Sequence, residues 1–179
     1  YNKPMSQLKV NSIVPVGGAP SGGGGGIIQT VTTLKTDATS TTSSSFVDVS
    51  GMSRTITPVF ASSKIQVVAS LNVSGAANSY LGFKVLIGSS DASVGTHGSG
   101  SRTNCTFGAH STDPDTVIMC GCNFLHTPSY SVGDTLTYKL QYLSGFNNRE
   151  ICLNRTQNDS NSLFTMCGIS TLTLMEVSG

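Results

Sequence analysis

Nine acidic residues and three histidines are the groups of this 179-residue chain whose ordinary pKa values suit acid–base work below or near neutral pH. The acids that could act together are Asp91 and the pair in the triplet DPD, Asp113 and Asp115. Cleaving a glycosidic bond needs two carboxylates about 5–10 Å apart, one as acid and the other as base or nucleophile. Asp-Pro is also ordinary turn chemistry, and a turn is the expectation here. His97, His110 and His126 fall in or beside expected loops. The chain has no G-x-S-x-G elbow, no H-E-x-x-H pair and no phosphate loop; its glycine run lacks the Lys and Ser/Thr that a phosphate loop needs. The expected function is therefore non-enzymatic.

The cysteines are Cys105, Cys120, Cys122, Cys152 and Cys167, an odd number without the spacing of a secreted disulfide framework. Cys120 and Cys122 form a C-x-C inside TVIMCGCNF. On a strand both thiols share one face with Ile118 and Phe124, which suits small buried hydrophobes in a reducing compartment. A zinc site would need a second ligand pair, and the scattered histidines do not supply one. No metal and no cofactor are expected. The triplets at 72–74, 104–106 and 154–156 match the glycosylation acceptor, as chance matches in a chain so rich in Ser and Thr.

The elements that must position these residues are strands. Charged residues make up 11% of the chain, against about 25% in an average domain. Thr, Val, Ile and Ser stand where a helix surface would carry Ala, Glu and Lys. Alternation is clean in 64–73, where Ile65, Val67, Ala69, Leu71 and Val73 share a face. It recurs at 80–88 (Leu81, Phe83, Val85, Ile87), at 135–143 (Leu136, Tyr138, Leu140, Tyr142) and at 149–156 (Ile151, Leu153). A long strand bending at Gly168 is expected over 162–177, and weaker ones over 27–35, 46–49 and 54–59. Segment 88–116 reads as a long loop with one short strand near 106–109. Eight to ten antiparallel strands predict an all-β, two-sheet sandwich of the jelly-roll type over residues 27–179.

Two features break the pattern of a self-sufficient sandwich. In TLTLMEV, Leu172 and Leu174 face one way, while Met175 and Val177 face the other. A strand apolar on both faces is covered on both, so these four residues are the expected subunit interface. At the other end, residues 1–21 carry Leu8, Val10, Ile13, Val14 and Val16 with Pro15 among them, too few for a core and unsuited to a central strand. They read as an extended docking arm, joined through a hinge of Gly22, Gly23, Gly24, Gly25 and Gly26. The opening residues have neither the apolar run nor the cleavage site of a leader. No stretch approaches the ~20 apolar residues of a membrane span, and a net charge of +1 without basic runs speaks against nucleic acid. Loop aromatics and a histidine, Tyr80, Phe107, His110, Tyr130 and Phe146, are the candidate sugar contacts.

Roughly over residues 24–90 and 130–179, the chain resembles small virion proteins of tailed bacteriophages, especially marine and cyanobacterial ones. The resemblance rests on SVGDTLTYKLQY, on CLNRTQNDSNSLFTMCGISTLTLMEVSG, and on GGGIIQTV, SFVDVSGMSRTITP and SSKIQVVASL. The middle, with CTFGAH and CGC, is less typical, and the shaft repeats of a long fibre are missing. The resemblance implies a homotrimeric jelly-roll head in the virion, assembled in the host cytoplasm. It further implies a short tail fibre whose arm docks into a tail adaptor, tail tube or capsid, and whose head meets a host-surface polysaccharide. A capsid or tail decoration protein is the alternative, and a carbohydrate-binding module a further one.

Overall fold

The structure, a computed structural model, describes residues 26–146 and 148–179. The expected docking arm and Gly22 to Gly25 lie outside the described residues. Gly26 is described, and its carbonyl accepts the Ser178 N–H at 3.0 Å.

Eleven strands follow in chain order: β1 (Ile27–Lys35), β2 (Thr39–Thr41), β3 (Val47–Ile56), β4 (Lys64–Gly75), β5 (Ser79–Ile87), β6 (Ser90–Ser93), β7 (Phe107–Ser111), β8 (Ile118–His126), β9 (Leu136–Ser144), β10 (Ile151–Leu153) and β11 (Ser170–Val177). All ladders are antiparallel. In the first sheet β2 prolongs β1, and β10 and β11 share a single lane beside β4, whose far edge pairs with β8. The second sheet runs β3, β9, β5, with β6 and β7 sharing the last lane. Each sheet is thus four lanes wide, and the chain visits them in jelly-roll order.

Alternation does what the pattern requires. Ile65, Val67, Leu71 and Val73 of β4, Phe83 and Val85 of β5, and Tyr138 and Leu140 of β9 are fully buried between the sheets. At ~1.5–3 kcal/mol for each large side chain removed from water, this single layer drives the fold. Met52 and Ile56 of β3 complete it. The expected strands 46–49 and 54–59 are one strand, bent by a register shift between Asp48 and Ser53. Gly51 sits in that shift at φ 77°, a left-handed conformation that suits glycine.

The long strand expected over 162–177 is a correction. Only 170–177 pair as β11; residues 162–169 belong to a loop, and Leu163 and Phe164 are 96% and 78% exposed. The apolar run SLFTMCGI has no lane to occupy, because β10 already fills the sheet beside the end of β4. Segment 88–116 holds two strands, β6 and β7, where one was expected.

Two buried polar residues close the lanes. Asn154, 1% exposed at φ 63°, lies where β10 ends. Its amide donates to the carbonyls of Lys35 (2.9 Å) and Asp37 (3.0 Å), at the break between β1 and β2. Its Oδ1 accepts the Ser170 hydroxyl at 2.6 Å, where β11 begins. Its backbone donates to Asn72 O and accepts from Gly168 N. Glu176, fully buried on β11, accepts Gln29 Nε2 at 2.6 Å and the amides of Val59 and Phe60 at 2.9 and 3.3 Å. Glu176 thereby ties β11 to β1 and to the turn after β3.

Asn154→Ala is expected to cost about 2–4 kcal/mol in urea denaturation, since each buried polar partner left unpaired costs about 1–3 kcal/mol. The control is Asn78→Ala, at an exposed residue of similar φ, 60°. That change removes only the left-handed preference and is expected to cost about 1 kcal/mol. Equal losses at the two sites would show that Asn154 matters only for its backbone conformation.

Candidate functional site

The acidic residues do not form a catalytic pair with Asp91. Asp91 stands opposite Leu86 on β5, whereas Asp113 follows Ser111, which stands opposite Ser79. Seven residues of strand separate these positions, about 23 Å at ~3.3 Å per residue, against the 5–10 Å that hydrolysis needs. Asp91 pairs with Lys84 at 3.0 Å. Asp113 Oδ1 accepts the Asp115 amide at 2.9 Å, closing the turn that Asp-Pro predicts.

The cysteines are free thiols. Cys120 and Cys122 share the inward side of β8 with Ile118 and Phe124 and pack on the core. Burial pushes their thiols up to about 12 and about 11, and that of Cys152 up to about 11. Among the described residues no group of His, Cys, Asp and Glu is placed to hold a metal. His126 is half-buried, its Nδ1 2.7 Å from the Tyr138 hydroxyl, and burial lowers its pKa from 6.5. Burial pushes the Tyr138 phenol well above its usual range, so both partners of this bond are neutral near pH 7.

What distinguishes the molecule is the contrast between the outer faces of its two sheets. On the first sheet, register places Leu34, Thr171, Ser70 and Gly121 in one row and Thr32, Thr173, Val68 and Asn123 in the next. Thr30, Met175, Gln66 and Leu125 make the third row. None of these side chains is charged. Lys64, at the start of β4 and beside Val177, is the first charge met. Neighbours satisfy one another: Gln66 donates to Asn123, and the Thr32 and Thr173 hydroxyls bond at 3.0 Å. Met119 is 76% exposed at the upper end of β8. Of the four residues expected at the subunit interface, Met175 and Val177 lie on this outer face, half-buried. Leu172 and Leu174 do not: both are fully buried in the chain's own core, because inward positions on β11 meet β4 and the second sheet.

The outer face of the second sheet is charged and aromatic. Lys84 pairs with Asp91, and Lys139 and Gln141 both donate to Asp48, at 2.8 and 2.7 Å. At one end a row of rings crosses the strands. Tyr80 and His110, directly opposite on β5 and β7, stack at 4.6 Å. Phe146 stacks on Tyr80 from the other side at 5.7 Å, and the Arg149 guanidinium lies 5.0 Å over Phe146. Gly145 makes the row possible. Its amide donates to Tyr80 O at 2.7 Å, and a Cβ there would lie 2.9 Å from Tyr80 Cβ. Gly82 and Gly108 are paired one step along the strands, and the Leu143 side chain of β9 lies over Gly82.

The fold thus brings together Tyr80, His110 and Phe146 of the five candidate sugar contacts. Phe107 instead stacks on core Phe83 at 5.0 Å. Tyr130 lies elsewhere, its hydroxyl directed at the carbonyls of Phe60 and Ser63. Arg149 is the member that sequence reasoning missed; an arginine three residues after Phe146 in a loop carries no periodic signal.

No protein-family model matches this sequence, and no curated protein matches it either.

Two measurements check these assignments. Native alkylation at pH 8 is expected to reach exposed Cys167 first. Cys120, Cys122 and Cys152 should stay unmodified until unfolding, because a thiol titrating near 11 is ionised only about one part in a thousand at that pH. Early labelling of Cys122 would show β8 opening. For His126, the unfolded chain binds the proton more tightly than the folded one, so stability is full above pH 6.5. It falls as pH drops from there through the lowered folded value. His126→Gln, whose amide can still pair with the Tyr138 hydroxyl, should flatten the melting-temperature profile below pH 6.5; an unchanged slope would put its origin elsewhere.

Proposed function

We propose that the protein is a non-enzymatic structural protein of a tailed-bacteriophage virion, the head of a short tail fibre that assembles as a homotrimer. The outer face of the first sheet turns inward between copies. The outer face of the second sheet, with its aromatic row, turns outward toward a host-surface polysaccharide. The arm of residues 1–21 docks the assembly into a tail or capsid protein. One observation carries the reading: the two outer faces differ in charge. Twelve outward positions in three successive rows without a charge are unusual on a surface meant to meet water, whereas the opposite face keeps its ion pairs. Depletion of charge is the compositional mark of the centre of an interface. The resemblance to small phage virion proteins supports the setting. Three weak sugar contacts on one rigid trimer gain affinity by multivalency without any strong single contact.

Light scattering on the eluting full chain should give three times the 18.5 kDa chain mass at micromolar concentration. Met175→Lys should give the monomer with an unchanged circular dichroism spectrum, because a lone ammonium would be buried at the contact. Ile13→Asp with Val14→Asp should stay trimeric yet fail to enter particles. A monomeric wild type would overturn the trimer, and particle entry by the arm variant would overturn the docking role.

A further inference from the structure

Residues 154–169 leave the first sheet at Asn154 and re-enter the same lane at Ser170. The excursion lies on the outer side of the sheet. Gly168 rests against outward-facing Asn72, with a Cβ there 2.9 Å from Asn72 Cβ, and Asn72 Nδ2 donates to Ile169 O at 2.5 Å. The loop is braced by polar contacts. Arg155 bonds Glu150 Oε1 at 3.0 Å and Thr156 O at 2.9 Å. The Thr156 amide donates to Met166 O, and the Asn158 amide to Pro114 O beyond β7. The Thr165 hydroxyl lies within bonding distance of the Ser162 carbonyl, at 2.9 Å.

None of this bracing uses the loop's apolar side chains. Leu163 is 96% exposed, Phe164 78% and Met166 64%. A loop held in shape by hydrogen bonds and presenting bare hydrocarbon has that hydrocarbon for a partner. Beside it, on the same uncharged face, the surface drops. A side chain at Gly121 would run into the Ala69 carbonyl oxygen. The bare backbone there floors a depression of about 360 Å³ between Met119 and Asn123.

We infer that this loop is the interlock of the homotrimer, with Leu163 and Phe164 of one copy seated in the Gly121 depression of the next. The inference rests on the trimer proposed above and says which residues hold it. A second copy is favoured over other occupants because the loop tip, Leu163 and Phe164, and the lining of the depression are equally uncharged. A lipid surface would call for free basic residues around the apolar tip, and the loop's own cation, Arg155, is spent on Glu150 and Asp159. Size points the same way. Four lanes about 4.8 Å apart and nine residues long make a flat patch of roughly 600 Å², short of the ~800 Å² per partner of a standard interface. A phenylalanine buries about 150–250 Å², so the ridge supplies the remainder. Because ridge and depression are different patches, the contact runs head to tail, which in the proposed trimer closes as a three-membered ring.

The test uses the full chain with a photo-crosslinking benzoylphenylalanine at position 164, mixed from light and nitrogen-15-labelled copies. Mixed-isotope crosslinks mapping to residues 119–123 are expected. Leu163→Ser with Phe164→Ser should shift the assembly midpoint at least a hundredfold in concentration, with the circular dichroism spectrum unchanged. A trimer whose crosslinks map elsewhere, or that survives the double substitution, would overturn the interlock and leave the trimer standing. A monomeric wild type would overturn both. Crosslinking to a different virion protein, or flotation with vesicles of anionic lipid in place of self-association, would also overturn the interlock.

Discussion

A buried carbonyl must find a donor, and the first sheet of this jelly roll has two lanes that break partway along. At the first break, β1 stops at Lys35 and β2 begins at Thr39; at the second, β10 stops at Leu153 and β11 begins at Ser170. The breaks lie side by side. A single amide, that of Asn154, donates to carbonyls across the first and accepts a hydroxyl across the second. Buried polar groups are costly singly and cooperative when all are satisfied. Once Asn154 is satisfied, the lanes stay in register and the chain is free to depart from the sheet for sixteen residues without loosening it.

The strands were legible because burial on one face of a sheet forces a period of two, and β4, β5 and β9 carry it without interruption from Ile65 to Tyr142. The three-residue β2 was not: it has no period to detect, and its partner β10 lies more than a hundred residues away. Ile151 and Leu153 marked β10 as a strand, but not that it shares a lane with β11 beside β4. The segment around Leu163 and Phe164 misleads for a related reason: its apolar residues stand exposed on a loop, while sequence patterning assumes the chain's own core as their destination.

A strand apolar on both sides marked Leu172, Leu174, Met175 and Val177 alike, because the sequence does not say which side is inward; the fold buries the first two and leaves Met175 and Val177 on the outer face. The aromatic row was half legible. Tyr80, His110 and Phe146 stood out as ring-bearing residues near turns, yet so did Phe107 and Tyr130. What separates the two sets is strand register, which sets His110 directly across from Tyr80 and turns Phe107 toward Phe83.

The pairing of β1 with β11 has a kinetic side. Ile27 stands opposite Val177, and within the sheet β1 has no other ladder partner. The buried carboxylate of Glu176 adds the turn after β3 to the same late contact. Non-local pairings of this kind place a chain among the slow folders, on a scale of milliseconds to seconds. During synthesis, at about 5–20 residues per second, β1 is made first and waits longest, its edge open until residue 177 has left the ribosome. A nascent chain cut short of that point has no closed first sheet, so the two sheets cannot close on one another until Val177 has been made.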